Sequence, residues 1–177
     1  MALLSRIGLD KPELRAWALY DWANSAFVTI IVTAIFPIYY AKVCNAATAV
    51  SDPELATFRL TVTTGVALTI VAFLAPFLGA LADTRPVKKK LLSIFLGLGV
   101  LSTAAMFLLG PDQWLLASVL FGLGNIGAMG SFVFYDSLLP HVASRDNIDR
   151  VSTAGYALGY VGGGLLLLFC IMLVQNP

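Results

Sequence analysis

Apolar residues run along this chain in five long stretches, separated by short segments rich in Asp, Pro, Lys and Arg. A bilayer core needs about 20 residues of helix, and each stretch is close to that length or longer. Lipid offers no hydrogen-bond partners to unpaired backbone N–H and C=O groups, which favours helices. The alternation of apolar and polar residues typical of a membrane β-barrel strand is missing from the sequence. The pattern therefore predicts an all-α membrane protein with five transmembrane helices, at residues 16–41, 58–82, 91–109, 114–139 and 151–174.

The connections contain residues that begin and end helices. Gly110-Pro111-Asp112 predicts a tight turn before helix 4, and Pro140 is predicted to end that helix. Asp146, Asn147 and Asp149 can cap the start of helix 5, because their side-chain oxygens accept hydrogen bonds from the free N–H groups there.

Composition agrees with lipid as the surroundings. Hydrophobic residues make up 59% of the chain and charged residues 12%, whereas a soluble domain carries about 25% charged residues. The net charge of +1 predicts no nucleic-acid partner. His141 is the single histidine, so a multi-histidine metal site is excluded, and we predict no metal and no cofactor. A membrane enzyme is the least favoured class, since no nucleophile–base pair is visible.

The basic residues lie mostly on one side of the predicted helices. Nine of the 11 Lys and Arg residues fall on the side of the N-terminus, and two, Lys42 and Arg59, fall on the other. The nine are Arg6, Lys11, Arg15, Arg85, Lys88, Lys89, Lys90, Arg145 and Arg150. Basic loops stay in the cytoplasm, so this distribution predicts a cytoplasmic N-terminus and an external C-terminal end. The odd number of helices suggests a truncated chain.

Helix 1 contains a polar stripe. Asp21, Asn24, Ser25, Thr29 and Thr33 are spaced three or four residues apart, which places them on one helix face. For the Ser and Thr residues we favour hydrogen bonds between helices. For Asp21 and Asn24 we favour a substrate or proton pathway, because intramembrane carboxylates are usually functional.

Asn125 and Asp136 lie on one face of helix 4. We assign both to the same substrate or proton pathway. Asp21 and Asp136 both lie toward the cytoplasmic ends of their helices. A structural contact with Arg145 or Arg150 is therefore the alternative interpretation for these two carboxylates.

Helix 5 is dense in glycine, which lowers helix propensity unless another helix comes close. Static packing and a sliding interface are equally compatible with this pattern. The predicted packing residues are Gly155, Gly159, Gly163 and Gly164. Helix 3 carries few polar groups and is predicted to be peripheral and to face lipid.

Five segments together resemble the major facilitator superfamily, and within it the branch related to the yeast vacuolar amino-acid effluxers. They are RAWALYDWANSAF at 15–27, IFPIYY at 35–40, PFLGALAD at 76–83, FYDSLLPHVAS at 134–144 and RVSTAGYALGYVGGGLLLL at 150–168. The resemblance implies a twelve-helix transporter of two six-helix halves. This chain would supply a partial N-terminal half, and the missing C-terminal half would be its partner.

The loop between helices 2 and 3 resembles the superfamily's G-x-L-A-D signature followed by basic residues. Pro86 stands at the position of a usual glycine, and proline cannot take a positive φ, so the turn must differ from the usual one. The resemblance implies a cytoplasmic gate formed by Gly79, Asp83, Lys88, Lys89 and Lys90.

The implied function is secondary active transport of a small solute by alternating access, with amino acids as the substrate class and a coupling proton as a further partner. A membrane scaffold that does not transport is the alternative, and seven further spans downstream would decide for the carrier. The bacterial cytoplasmic membrane is the predicted location, with the vacuolar membrane as the alternative.

Overall fold

The computed structural model describes residues 4, 6–44 and 53–175. Within these residues the chain is helical and contains no strand. Five helices are long and apolar enough to cross a bilayer: α1 (Pro12–Cys44), α2 (Pro53–Thr84), α3 (Lys88–Leu108), α4 (Trp114–Val142) and α5 (Ile148–Gln175). The predicted all-α membrane protein with five transmembrane helices is confirmed.

The first two helices begin earlier than the apolar pattern indicates. Pro12 and Pro53 each stand at the first residue of a helix. Proline is favoured there because its fixed φ suits a helix and its missing N–H is not needed in the first turn. Both helices therefore include a polar first turn that hydropathy does not detect.

Pro140 does not end α4, so this prediction was wrong. The helix continues to Val142, and the Ala143 N–H donates to the Leu139 carbonyl over 2.9 Å. Pro140 cannot donate to the carbonyl of Asp136. The turns on either side of this position hold the helix together without that bond.

The middle of α1 is a π-helix. It spans Phe27–Ile35, and the Phe36 N–H donates to the Ile31 carbonyl, five residues back. The Thr33 hydroxyl donates to the Val28 carbonyl over 2.9 Å, also five residues back. Pro37 follows directly and supplies no N–H. Wide turns of this kind are rare and frequently occur at functional sites.

The chain forms two compact units, Met1–Phe36 with Ser137–Pro177, and Pro37–Asp136. The first unit pairs the N-terminal part of α1 with α5. In the second unit α3 and α4 approach closely at two glycines. A side chain on Gly127 would collide with the backbone of Gly99 and with the Phe95 carbonyl. Here α3 packs on a protein neighbour, while residues such as Leu101 on its other face stay exposed.

Candidate transport site

Asp21 and Asn24 are both buried in the first unit. Asp21 is 2% exposed and Asn24 is 7% exposed. Because α1 begins at Pro12, Asp21 lies about 13.5 Å from the first residue of the helix at 1.5 Å per residue. Exposing the Asp21 carboxylate or the Asn24 amide to lipid would cost free energy. Burial of both side chains against protein avoids that cost.

The glycines of α5 leave the space that α1 side chains occupy. A Cβ atom on Gly159 would collide with Asp21 Oδ2 and would lie 2.6 Å from Ser25 Oγ. The Asp21 carboxylate therefore sits directly on the α5 backbone. Small residues permit such close approach of two helices in a membrane.

The same contact recurs along the interface. A Cβ atom on Gly155 would lie 2.5 Å from the Trp17 ring, and one on Gly163 would lie 2.9 Å from Thr29 Oγ1. The contacts advance in the same direction along both helices, so α1 and α5 run parallel. This is the relation expected of the first and fifth spans of a chain that crosses a membrane back and forth.

At two glycines of α5, the contacts differ from the predicted packing. Gly162 lies against the Trp22 ring, although it was not among the four predicted packing residues. Gly164 was among them, yet nothing lies within 4 Å of the position its Cβ would take. Gly155, Gly159, Gly162 and Gly163 therefore face α1. Gly164 points away from this contact.

The Asn24 amide nitrogen, Nδ2, is buried and has no hydrogen-bond partner among the described residues. Leaving such a donor unsatisfied costs about 1–3 kcal/mol. A polar ligand or a water molecule beside Asn24 would remove this cost.

Asn125 and Asp136 belong to the second unit. Asn125 is 2% exposed, and its Nδ2 donates to the Phe121 carbonyl one turn back over 2.9 Å. Its amide is therefore partly committed to its own helix. Asp136 is exposed, so it is accessible at the surface of α4.

The loop from α2 to α3 is closed by an ion pair. Lys88 Nζ lies 3.0 Å from Asp83 Oδ1, with the Lys88 side chain 16% and the Asp83 side chain 73% exposed. The Val87 N–H donates to the Arg85 carbonyl over 2.8 Å, which makes Pro86 the centre of a three-residue turn. Proline has the φ that an inverse γ-turn needs, so this turn replaces the one a glycine would form.

The remaining predicted gate residues, Gly79, Lys89 and Lys90, have fewer neighbours or are exposed to solvent. Lys89 and Lys90 are exposed, and nothing lies within 4 Å of a Cβ placed on Gly79. Among the described residues, no group of three or more His, Cys, Asp and Glu side chains is arranged to hold a metal ion.

Two aromatic residues of α1, Trp17 and Tyr40, are buried against other parts of the protein. Trp17 is 6% exposed and Tyr40 is 0% exposed. Trp17 packs on Gly155, and the Tyr40 hydroxyl lies 2.5 Å from Ser118 Oγ. Sequence position near a helix end is therefore no guide to whether these rings face lipid or protein.

Residues 55–148 match the model of a family described as vacuole effluxer Atg22 like. YxiO of Bacillus subtilis strain 168, described as an MFS-type transporter, is 36% identical over 159 residues, which cover 90% of this chain and 37% of YxiO. No solved structure matches the chain significantly.

Two further relatives are more distant. An uncharacterized protein of Aquifex aeolicus strain VF5 is 29% identical over 173 residues, covering 98% of this chain and 42% of that protein. Autophagy-related protein 22 of Coccidioides immitis strain RS is 26% identical over 177 residues, covering 77% of this chain and 29% of its own length. The chain thus spans less than half the length of these curated relatives.

Proposed function

This chain belongs to the family of Atg22-like vacuole effluxers, and we propose that the whole protein is a secondary active transporter that moves a small solute by alternating access. The observation that carries the proposal is the Asp21 carboxylate, 2% exposed inside an apolar helix. Buried carboxylates of membrane helices mark substrate and ion pathways.

Amino acids are the proposed substrate class. The Asp21 carboxylate can accept hydrogen bonds from a substrate ammonium group, and the Asn24 amide can donate to a substrate carboxylate. The two residues lie about one helical turn apart on α1. A coupling proton is the second ligand that we propose for Asp21. Asn125 and Asp136 are further proposed pathway residues, on α4.

The loop from α2 to α3 is the proposed gate. The ion pair between Lys88 and Asp83 is largely open to solvent on the Asp83 side. Exposed pairs of this kind contribute about 0–1 kcal/mol. A gate must open and close repeatedly, and so weak an interaction can break and re-form without stabilising either state strongly.

We also propose that the N-terminus is cytoplasmic and that the protein lies in the bacterial cytoplasmic membrane. The excess of Lys and Arg on the side of the N-terminus supports the orientation. The similarity to a Bacillus subtilis protein supports the location. The description of the matching family as vacuole effluxers keeps the vacuolar membrane as the alternative.

The test uses the full-length protein reconstituted into vesicles. Asp21→Asn keeps the size of the side chain but removes its charge and its ability to bind and release a proton. We expect it to fold and to lose at least about tenfold in uptake, the loss that corresponds to about 1.4 kcal/mol. Radiolabelled amino-acid mixtures, with and without a pH gradient, provide the measurement.

Asp149→Asn is the matched control, because Asp149 is an exposed carboxylate at the start of α5. It should transport normally. Uptake is expressed per folded molecule, and Asp21→Ala should lower the yield of folded protein as well as uptake. Normal uptake with normal pH dependence in Asp21→Asn would overturn the assignment of Asp21 to the pathway.

A further inference from the structure

Arg59 occupies an unusual position in the second unit. It lies in the second turn of α2 and is half-buried. Its guanidinium stacks over the Trp114 ring, with its central carbon 3.7 Å from the ring centroid. Stacking of this kind is attractive and holds the plane of the guanidinium in place.

A directed chain of hydrogen bonds fixes the surroundings of Arg59. The Ser118 hydroxyl donates to the Trp114 carbonyl over 2.9 Å. A hydroxyl has a single hydrogen, so Tyr40 must be the donor in its 2.5 Å bond with Ser118. The Cys44 side chain lies close to the Tyr40 hydroxyl, and Cys44 Sγ accepts from Arg59 Nη1 over 3.8 Å.

Within the described part of the chain, this network gives the guanidinium no oxygen acceptor. A guanidinium has five N–H donors, and the described residues supply Arg59 with one weak sulfur acceptor and one aromatic face. No carboxylate of the described residues forms an ion pair with it. A half-buried, always charged group in this state is stabilised by an anion that takes two N–H donors together.

We propose that Arg59, held by Trp114 and Cys44, is an oxyanion-binding site at the end of the helices opposite to the loop between α2 and α3. The ligand is a carboxylate or a phosphate, carried either by a small solute or by a lipid headgroup. The site goes beyond the proposed transport function and does not depend on it, because Arg59 is held by Trp114 and Cys44, and neither is among the proposed pathway residues.

Trp114 provides a direct reporter of occupancy. The full-length protein is labelled with 5-fluorotryptophan and placed in nanodiscs of phosphatidylcholine, and the Trp114 fluorine resonance is assigned with Trp114→Phe. Inorganic phosphate and acetate are then titrated. A second set of nanodiscs contains phosphatidylglycerol and no added anion.

A free oxyanion gives a saturable shift of the Trp114 resonance in phosphatidylcholine. A lipid headgroup gives the shift only in phosphatidylglycerol. In either case Arg59→Gln should abolish the shift, and Arg59→Lys, which keeps the charge without the planar fork, should weaken binding about tenfold. Lys42→Gln is the matched control, because Lys42 is the other cation on this side and is exposed.

The Trp17 and Trp22 resonances report whether each variant is folded, and Arg59→Lys serves as the test if Arg59→Gln does not fold. A shift that persists in the folded Arg59 variants at unchanged affinity would overturn the proposal. So would the absence of any Trp114 shift in both lipid compositions.

Discussion

Gly159 shows how one missing side chain positions a charged one. The space of its absent Cβ is taken by the Asp21 carboxylate and by Ser25. We expect Gly159→Ala to lower the free energy of unfolding by about 1–3 kcal/mol, because overpacking of a tight contact costs that much. Displacement of the carboxylate should also reduce uptake. Thermal unfolding of the full-length protein in detergent, together with vesicle uptake, provides the measurements.

Gly164→Ala is the control for this prediction. It lies on the same helix, and nothing lies within 4 Å of its Cβ position. Alanine is a better helix former than glycine by about 1 kcal/mol, so this variant should be neutral or slightly stabilised. Equal effects of the two substitutions would contradict the assignment of Gly159 to a specific contact with α1.

Some residues of the candidate sites can be predicted from the sequence, and others cannot, for a physical reason. Asp21 and Asn24 stand out because a polar residue within an apolar stretch is costly wherever it points. Arg59 and Trp114 do not stand out, because each lies near a helix end where such residues are common. Their contact depends on the rotation and packing of α2 and α4, which no periodicity in either helix encodes.

At the scale of elements, the approach of α3 to α4 depends on Gly127. Its absent Cβ would collide with the backbone of Gly99 and with the Phe95 carbonyl. Backbone atoms cannot move aside as a flexible side chain can. We therefore expect Gly127→Ala to push the two helices apart and to lower the free energy of unfolding by about 1–3 kcal/mol, measured by thermal unfolding.

Gly97→Ala is the matched control in α3, since a Cβ there would meet nothing within 4 Å. It should unfold at the same temperature as the parent or slightly higher, because alanine has the better helix propensity. If Gly97→Ala destabilises the protein as much as Gly127→Ala does, the helix contact is not the cause.

The existence of the five helices follows from the apolar stretches, but their internal geometry does not. The π-helix at Phe27–Ile35 lies in a segment that is almost entirely apolar. Hydrophobic periodicity cannot separate wide turns from ordinary ones where nearly every position is apolar. Likewise, Pro140 is tolerated within α4, because neighbouring bonds and helices compensate for a missing N–H in a membrane.

At the scale of the molecule, the parallel run of α1 and α5 bears on how the chain crosses the membrane. Gly155 contacts Trp17, and eight residues further Gly163 contacts Thr29. Two helices separated by three others run parallel only when an odd number of crossings lies between them. The register of this one interface therefore agrees with five alternating spans.

The orientation of those spans is the last prediction. Nine of 11 Lys and Arg residues lie on the side of the N-terminus, and such loops are retained in the cytoplasm. Reporter fusions after Asp52, Pro86, Asp112 and Asn147 should therefore read outside, inside, outside and inside in turn. Alkaline phosphatase is active only outside and green fluorescent protein only inside, so the two reporters check each other at every position. A cytoplasmic signal after Asp112 would contradict the alternation, because α3 and α4 would then not both cross the bilayer.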